Sequence, residues 1–358
     1  MRLVVLGLSL SSSWGNGHAT TYRALLKAFH ARGHDVLFLE RDVPWYAPHR
    51  DLADPDWCRI AFYRDLDELK HWTGEIARAD AVIVGSYVPD GVAVGRFVQA
   101  TAQNVTAFYD IDTPVTLAKL ARGDFEYLTP DLIPGYGTYL SFTGGPTLDL
   151  LEHRYGSPAG RALFCSVDPA AYQPTGEAKR WDLSYLGTYS PDRQPTLERL
   201  LIAPARARPD LRFAVAGPQY PADIAWPANV ERIDHLPPSE HAAFYSASRW
   251  TLNVTRADMI AAGWSPSVRL FEAAACATPI ISDRWAGLDD LFAPDREIVL
   301  ADDADAVLAA LARSDADAIG RAGQARVLAG HTAAHRAAEL EHHLADAARP
   351  REPRRGAA

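Results

Sequence analysis

Short continuous apolar runs alternate with longer stretches of helical spacing along this chain. Leu3-Val-Val-Leu-Gly7 is the first such run. Strands buried on both faces of a parallel sheet have this pattern. A loop rich in Ser and Gly follows. The spacing then predicts a helix from Ala19 to Arg32, with Tyr22, Leu25, Leu26 and Phe29 on one face. Gly33 closes it, and Val36–Leu39 reads as the next strand. Strand, helix and strand in this order form a βαβ unit. Ala81–Val84 and Val105–Tyr109 repeat the strand pattern, so the first half is expected to be a doubly wound sheet.

The stretch from Leu163 to Pro174 carries prolines and a polar turn and reads as a linker. Strands then resume at Asp182–Gly187, Arg212–Gly217, Trp250–Val254, Pro279–Ser282 and Glu297–Leu300, with helices between them. The expected fold class is α/β, with two Rossmann-like domains facing across a cleft. Their boundaries fall at residues 1–165 and 166–348, with the Ala-rich last helix packing back on the first domain. The prolines and charges of 349–358 predict a disordered tail. A length of 358 residues with 48% hydrophobic content suits two cores better than one. Ligands of open α/β sheets bind at the carboxyl ends of the strands, which is where the candidate chemistry is sought.

Charge narrows the partners. The net charge of -9 gives a nucleic-acid backbone little to attract it, so nucleic acid is not an expected partner. Cys58, Cys165 and Cys276 are far apart and odd in number, which suits neither a disulfide framework nor a metal cluster. The polar Ser11-Ser-Ser-Trp-Gly-Asn16 after the first apolar run fits a buried strand and its loop better than a signal peptide. No apolar run approaches the roughly 20 residues that span a membrane. The expected location is the cytoplasm, with peripheral membrane contact left open.

In the first half, the loop Ser9–His18 lacks the third glycine of a dinucleotide fingerprint, although Glu40 ends the second strand. Trp14, Gly15 and Gly17 crowd this turn and are candidates for acceptor binding. His18, at a helix start, is a candidate general base. Asp110 and Asp112 end a later strand. Asp110 is a second candidate base, equally readable as a cap, and Asp112 reads as the cap of the helix at Thr113-Pro114. No third ligand is suitably spaced for a metal, so none is expected.

In the second half, Thr188 and Arg193 follow a strand through a glycine turn, where backbone amides and a guanidinium suit a diphosphate. Asn253 and Arg256 end another strand on the same face. Ser267, Arg269 and Glu272 lie at the start of a helix of small residues. Ser267 also reads as its cap, and Arg269 with Glu272 as a surface pair. Charges on a tightly packed helix need a partner, and a ligand supplies one. The loop Asp234–Pro237 is a candidate nucleobase contact.

Three passages carry a resemblance: Ser166–Pro174, Leu186-Gly-Thr-Tyr-Ser-Pro-Asp-Arg193 and Ser267–Cys276. They resemble nucleotide-sugar glycosyltransferases of the GT-B fold, group 1 type, and within these the CgeB-like (spore maturation protein) branch. The resemblance covers roughly residues 160–330 and implies a first domain for the acceptor and a second for the donor. It implies that Glu272 binds the donor ribose and that Arg193 and Arg269 bind the diphosphate, assisted by Thr188 and Ser267. This sequence departs from the family pattern at Trp264, where many retaining members carry a further glutamate. It departs again at Ala277, where a glycine is usual, and it lacks the usual lysine partner of the phosphate-binding arginine.

The expected function is transfer of a sugar, a hexose first, from a nucleoside diphosphate sugar to an acceptor, with no metal or other cofactor required. A UDP-sugar is the first expectation, with GDP and dTDP as alternatives. The acceptor is a glycan, a small molecule or a protein. Two rival readings are a sugar-nucleotide epimerase of the same fold and a non-catalytic nucleotide-sugar-binding protein.

Overall fold

The structure, a computed structural model, describes residues 1–14 and 17–349. Gly15 and most of the expected tail therefore lie outside the described residues. Contacts divide the chain into two units, one of Met1–Phe164 with the chain from Ala334 onward, the other of Cys165–Ala333.

The first unit is built on seven strands: β1 (Arg2–Gly7), β2 (Asp35–Arg41), β3 (Arg59–Tyr63), β4 (Ala81–Gly85), β5 (Val105–Asp110), β6 (Thr138–Ser141) and β7 (Gly160–Ala162). All pair in parallel, in the order β3-β2-β1-β4-β5-β6-β7. Alternate residues feed two cores. Leu3 and Val5 pack with Leu25, Leu26 and Phe29 of the helix Gly17–His30. Val4 and Leu6 pack on the other face with Val94 and Val98. Ala337, Leu340 and Leu344 of the helix Ala333–Ala347 join the core that holds Leu3 and Val5. Full burial of each such aliphatic side chain contributes about 1.5–3 kcal/mol. Strand order reverses between β1 and β4, so the crevice of this sheet opens beyond their carboxyl ends.

The second unit has six parallel strands: β8 (Trp181–Leu186), β9 (Phe213–Ala216), β10 (Val230–Ile233), β11 (Ser248–Asn253), β12 (Ile280–Ser282) and β13 (Val299–Leu300). Their order is β10-β9-β8-β11-β12-β13, with the reversal between β8 and β11. Fully buried Trp250 anchors the core with Leu183, Phe213 and Ile281. Beyond the carboxyl ends of β8 and β9 the backbones nearly touch. A Cβ on Gly217, whose φ is +138°, would stand 2.1 Å from the Gly187 carbonyl oxygen. Glycine is needed at 217 on both counts.

Strands β3, β6, β7 and β10 are additional to those expected from the apolar runs. Each breaks the pattern for a physical reason. β3 and β10 are edge strands with charged residues facing water, β7 is a three-residue edge, and β6 buries hydroxyls. Thr138, for example, satisfies its hydroxyl by donating to the Ala159 carbonyl at 3.1 Å.

Candidate active site

At the switch point of the first sheet, the loop after β1 is held from below. The Glu40 carboxylate, at the end of β2 and completely buried, accepts from the Ser9 hydroxyl at 3.0 Å and the Ser11 hydroxyl at 2.6 Å. It also accepts from the backbone N–H groups of Leu10 at 2.7 Å and Ser11 at 2.9 Å. Four donors saturate this carboxylate, so it is not available to the ribose of a dinucleotide. Arg23 and Asp51 brace the same loop from outside. Trp14 is 55% exposed and stacks one face on His49, with ring centroids 4.5 Å apart. Gly17 opens the first helix, and a Cβ there would meet nothing within 4 Å.

His18 follows Gly17 and is buried. Its Nε2 lies 3.4 Å from Oδ2 of Asp112, whose side chain is 41% exposed. The Tyr87 ring meets the imidazole edge-on at 5.5 Å. Tyr87 holds φ at +61°, a left-handed conformation unusual for an aromatic residue, which the surrounding packing must enforce.

Two expectations are corrected here. Asp112 stands at the cap position of the helix Thr113–Ala121 but makes no side-chain cap bond, because its carboxylate turns to His18. Asp110 is no base for an acceptor, since it is fully buried and its oxygens are taken. It accepts from the Tyr139 hydroxyl at 2.5 Å, the Thr116 hydroxyl at 2.7 Å and the Asp112 N–H at 3.2 Å. Burial pushes its pKa up to about 6.

In the second unit the candidate residues gather on the loops and helices that follow the strands. Arg193 is buried and donates through Nη2 to the Thr188 carbonyl at 2.7 Å. Burial, and the like charges of Arg269 and Arg256 nearby, push its pKa below the usual value. Arg256 is exposed at the start of the helix Ala257–Ala262, and Arg269 is half-buried on the helix Val268–Ala275. None of these three guanidiniums forms an ion pair with a carboxylate among the described residues. Asp192 influences Arg256 and Arg193 through space, while its own carboxylate accepts from the Ala257 N–H at 3.0 Å. The turn's own amides are partly used, since the N–H of Gly187 and Tyr189 donate to the carbonyls of Ala216 and Pro218. Anion binding here therefore falls mainly to the guanidiniums.

Glu272 projects from the same helix as Arg269 and is 5% exposed. The two form no ion pair, contrary to the surface-pair reading. The Tyr245 hydroxyl lies 3.5 Å from its carboxylate. Ser267 stands at the helix's cap position without a cap bond, because its hydroxyl donates to Oδ1 of Asn253 at 2.8 Å. Asn253 is corrected from a donor contact to an internal brace. It is buried, and its amide also donates to Ser282 at 2.9 Å and Thr255 at 3.2 Å. Asp283 ties Thr255 into the same network.

Trp264 was notable only as a departure from a pattern, but its geometry is unusual. Its φ is +43°, its Nε1–H donates to Asp290 at 2.6 Å, and its ring lies against Gly287. A Cβ at Gly287 would come within 2.4 Å of that ring. Sequence reasoning also passed over Tyr172, Tyr245 and His241 around Glu272. Spacing gave no signal for them, because the linker and the short helix His241–Ser246, distant from Glu272 in sequence, bring them together.

Residues 193–342 match the model of a family described as glycosyl transferase-like. No curated protein matches the chain. Among solved structures, the chain is similar to sucrose-phosphate synthase from Thermosynechococcus elongatus, with 15% identity, a TM-score of 0.70 and coverage of 96% of this chain and 98% of that one. It is similar to Anabaena HepE in complex with UDP and glucose, with 10% identity, a TM-score of 0.71 and coverage of 97% and 100%. It is also similar to AviGT4, a glycosyltransferase involved in avilamycin A biosynthesis, with 16% identity, a TM-score of 0.63 and coverage of 96% and 97%. At these identities the structural likeness establishes the fold, and the family match bears on the activity. The chain has the GT-B fold, and the match over residues 193–342 points its chemistry toward glycosyl transfer. Among the described residues no helix is long and apolar enough to cross a membrane, and no group of three or more His, Cys, Asp and Glu could hold a metal ion.

Proposed function

We propose that this protein is a glycosyltransferase that takes its sugar from a nucleoside diphosphate sugar bound in the second unit and passes it to an acceptor hydroxyl bound in the first. The observation that carries the reading is the group of three arginines, Arg193, Arg256 and Arg269, without carboxylate partners among the described residues and in the same unit as the buried Glu272. Uncompensated guanidiniums repel one another, so a bound polyanion lowers their energy. A diphosphate fits that charge. The carboxylate of Glu272 is an acceptor-only group, suited to the two hydroxyls of a ribose. A UDP-sugar is the proposed donor, since HepE is recorded with UDP and UDP-glucose and a trehalose-6-phosphate enzyme of E. coli with UDP-2-fluoro glucose.

In the reaction the acceptor oxygen bonds to the anomeric carbon as the bond from that carbon to the diphosphate oxygen breaks. The electron pair leaves with the diphosphate, and the acceptor proton goes to His18. Fixed guanidiniums aimed at the growing negative charge lower the barrier, and loss of one such donor typically costs 10²–10³ in rate. The Asp112 carboxylate, 3.4 Å from Nε2, orients the His18 ring and stabilises the positive charge that the ring gains with the proton. Trp14, Gly15 and Gly17 are proposed to border the acceptor, and Thr188 and Ser267 to assist at the diphosphate. A location in the cytoplasm and kinship with the CgeB-like branch remain part of this reading.

A melting-temperature panel of UDP-, GDP- and dTDP-sugars, followed by NMR of the mixture with and without candidate acceptors, tests it. A donor at about 100 times its Kd stabilises by about 2.7 kcal/mol. The expected result is a clear upward shift with a UDP-sugar and transfer only when acceptor is present. No shift with any of the sugar nucleotides would contradict the reading, and an isomerised sugar formed without acceptor would favour the epimerase.

A further inference from the structure

Behind His18 stands a buried set of side chains that the proposed transfer leaves unused. Two groups border the imidazole, the Asp112 carboxylate at 3.4 Å and the Tyr87 ring, edge-on at 5.5 Å. Both lead back to Asp110. Its Oδ1 accepts from the Asp112 N–H at 3.2 Å, which pins the backbone that carries the Asp112 carboxylate. The same oxygen accepts from the Thr116 hydroxyl at 2.7 Å. That hydroxyl has one proton, and the carboxylate is the stronger acceptor. The Tyr127 hydroxyl, 2.7 Å from Thr116 Oγ1, is therefore the donor of that pair. The Tyr127 ring packs on the Tyr87 ring, with centroids 4.6 Å apart. Tyr139 donates to Oδ2 at 2.5 Å and holds the Asp110 side chain in place. Ser86, just before Tyr87, accepts from the Ile111 N–H at 3.1 Å and ties the two paths together.

Asp110, Thr116, Tyr127 and Tyr139 are all buried. Burial raises the pKa of Asp110 only to about 6, so at pH 7 it is mainly the acceptor-only carboxylate. A buried charge stabilises a fold poorly, and its best-attested use is to fix one arrangement of its neighbours. Helix capping does not account for it, since Asp112 and not Asp110 stands at the cap position. Accurate placement matters at a base, where a shift of about 1 Å can cost about 10²-fold in rate.

We infer that Asp110 is the positioning residue of His18, holding one neighbour of the imidazole, Asp112, directly and the other, Tyr87, through Thr116 and Tyr127. Its part in the reaction rests on the reading of His18 as the base for the acceptor. Asp110, Thr116 and Tyr127 lie too deep to touch substrate and act through His18.

The test is carbethoxylation of the full chain by diethyl pyrocarbonate at pH 7, each variant first shown to melt cooperatively, with the rate at each histidine read by peptide mass spectrometry. His34 is buried to the same degree and stands before β2, at the other end of the sheet, so it serves as the internal standard. Asp110→Ala should speed modification of His18 about 5-fold relative to His34, as expected when a lost hydrogen bond eases local opening. Thr116→Val should raise the same ratio about 2- to 5-fold. Thr116→Ser keeps the hydroxyl, and Asp110→Asn keeps an oxygen for Thr116 and the Asp112 N–H, so both should stay near the wild type. An unchanged ratio in Asp110→Ala, or equal acceleration at both histidines, would overturn the inference, and Thr116→Val decides on the same terms if Asp110→Ala does not fold. In steady-state release of UDP from UDP-glucose, Asp110→Ala should lower kcat about 10- to 100-fold and leave KM unchanged. A wild-type kcat in Asp110→Ala beside a lowered one in His18→Ala would also overturn it. If His18→Ala itself keeps the wild-type kcat, or the wild type releases no UDP, the reading of His18 as the base fails, and the carbethoxylation ratio alone decides whether Asp110 holds the histidine.

Discussion

The carboxyl ends of the two sheets handle charge in opposite ways. In the first unit, the charged groups find partners inside the protein. Glu40 is saturated by the Ser9–Ser11 loop, Asp110 by Tyr139, Thr116 and a backbone amide, and Arg23 pairs with Asp51. Lys119 pairs with Asp124 and Glu126, and Asp112 faces His18. In the second unit, Arg193, Arg256 and Arg269 have no carboxylate partner among the described residues, and Glu272 has no cation. One end is a finished scaffold that presents a histidine. The other is a set of charges without counterparts among the described residues, which the proposed diphosphate and ribose would complete. Unsatisfied charge marks a ligand site more clearly than the presence of charge does.

Variants can break or sharpen this contrast. The largest expected effect is on rate. His18→Ala should slow transfer by about 10²–10⁴, the range for loss of a general base, in a steady-state assay of nucleotide release. The next concerns Asp110. Its pKa in the folded chain is raised to about 6, above the usual carboxylate value, so the protonated form is the one that folding favours. That contribution is full below pH 4 and is lost as pH rises through 6. The loss is on the order of 2–3 kcal/mol. Asp110→Asn should lack this decline, so the difference in melting temperature between variant and wild type should grow in the variant's favour from pH 4 to pH 7. A constant difference would show that Asp110 does not titrate in this range. The smallest effect is at Ala277, which closes the helix Val268–Ala275 with φ at +56°. Ala277→Gly should relieve a left-handed alanine and stabilise by about 0.5–1 kcal/mol, seen as a rise of a few degrees in melting temperature.

How much could be read from the chain follows from the same contrast. Long apolar runs such as Leu3–Gly7 and Trp250–Val254 became central strands because burial on both faces admits little else. β3, β7 and β10 lie at sheet edges, where a strand need not be apolar, and so left no such trace. In the site, Arg193, Arg269 and Glu272 stood out because charge on a small-residue helix or a glycine turn has few structural uses. Asp110 and Asn253 looked alike to the eye but proved to be braces. What distinguishes a brace from a ligand contact is the partner, and Tyr139 and Thr116, or Ser267 and Ser282, arrive from distant parts of the chain. His18 and Asp112 are 94 positions apart, so their pairing also needed the fold.

The central claim is a division of labour, with donor recognition in the second unit and proton removal in the first. Calorimetric titration of UDP into His18→Ala, Arg269→Ala and Glu272→Ala tests it most directly. The account predicts wild-type affinity in His18→Ala and losses of about 10- to 100-fold in each of the other two, as for hydrogen bonds to charged groups. Unchanged affinity in Glu272→Ala and Arg269→Ala, or its loss in His18→Ala, would contradict it.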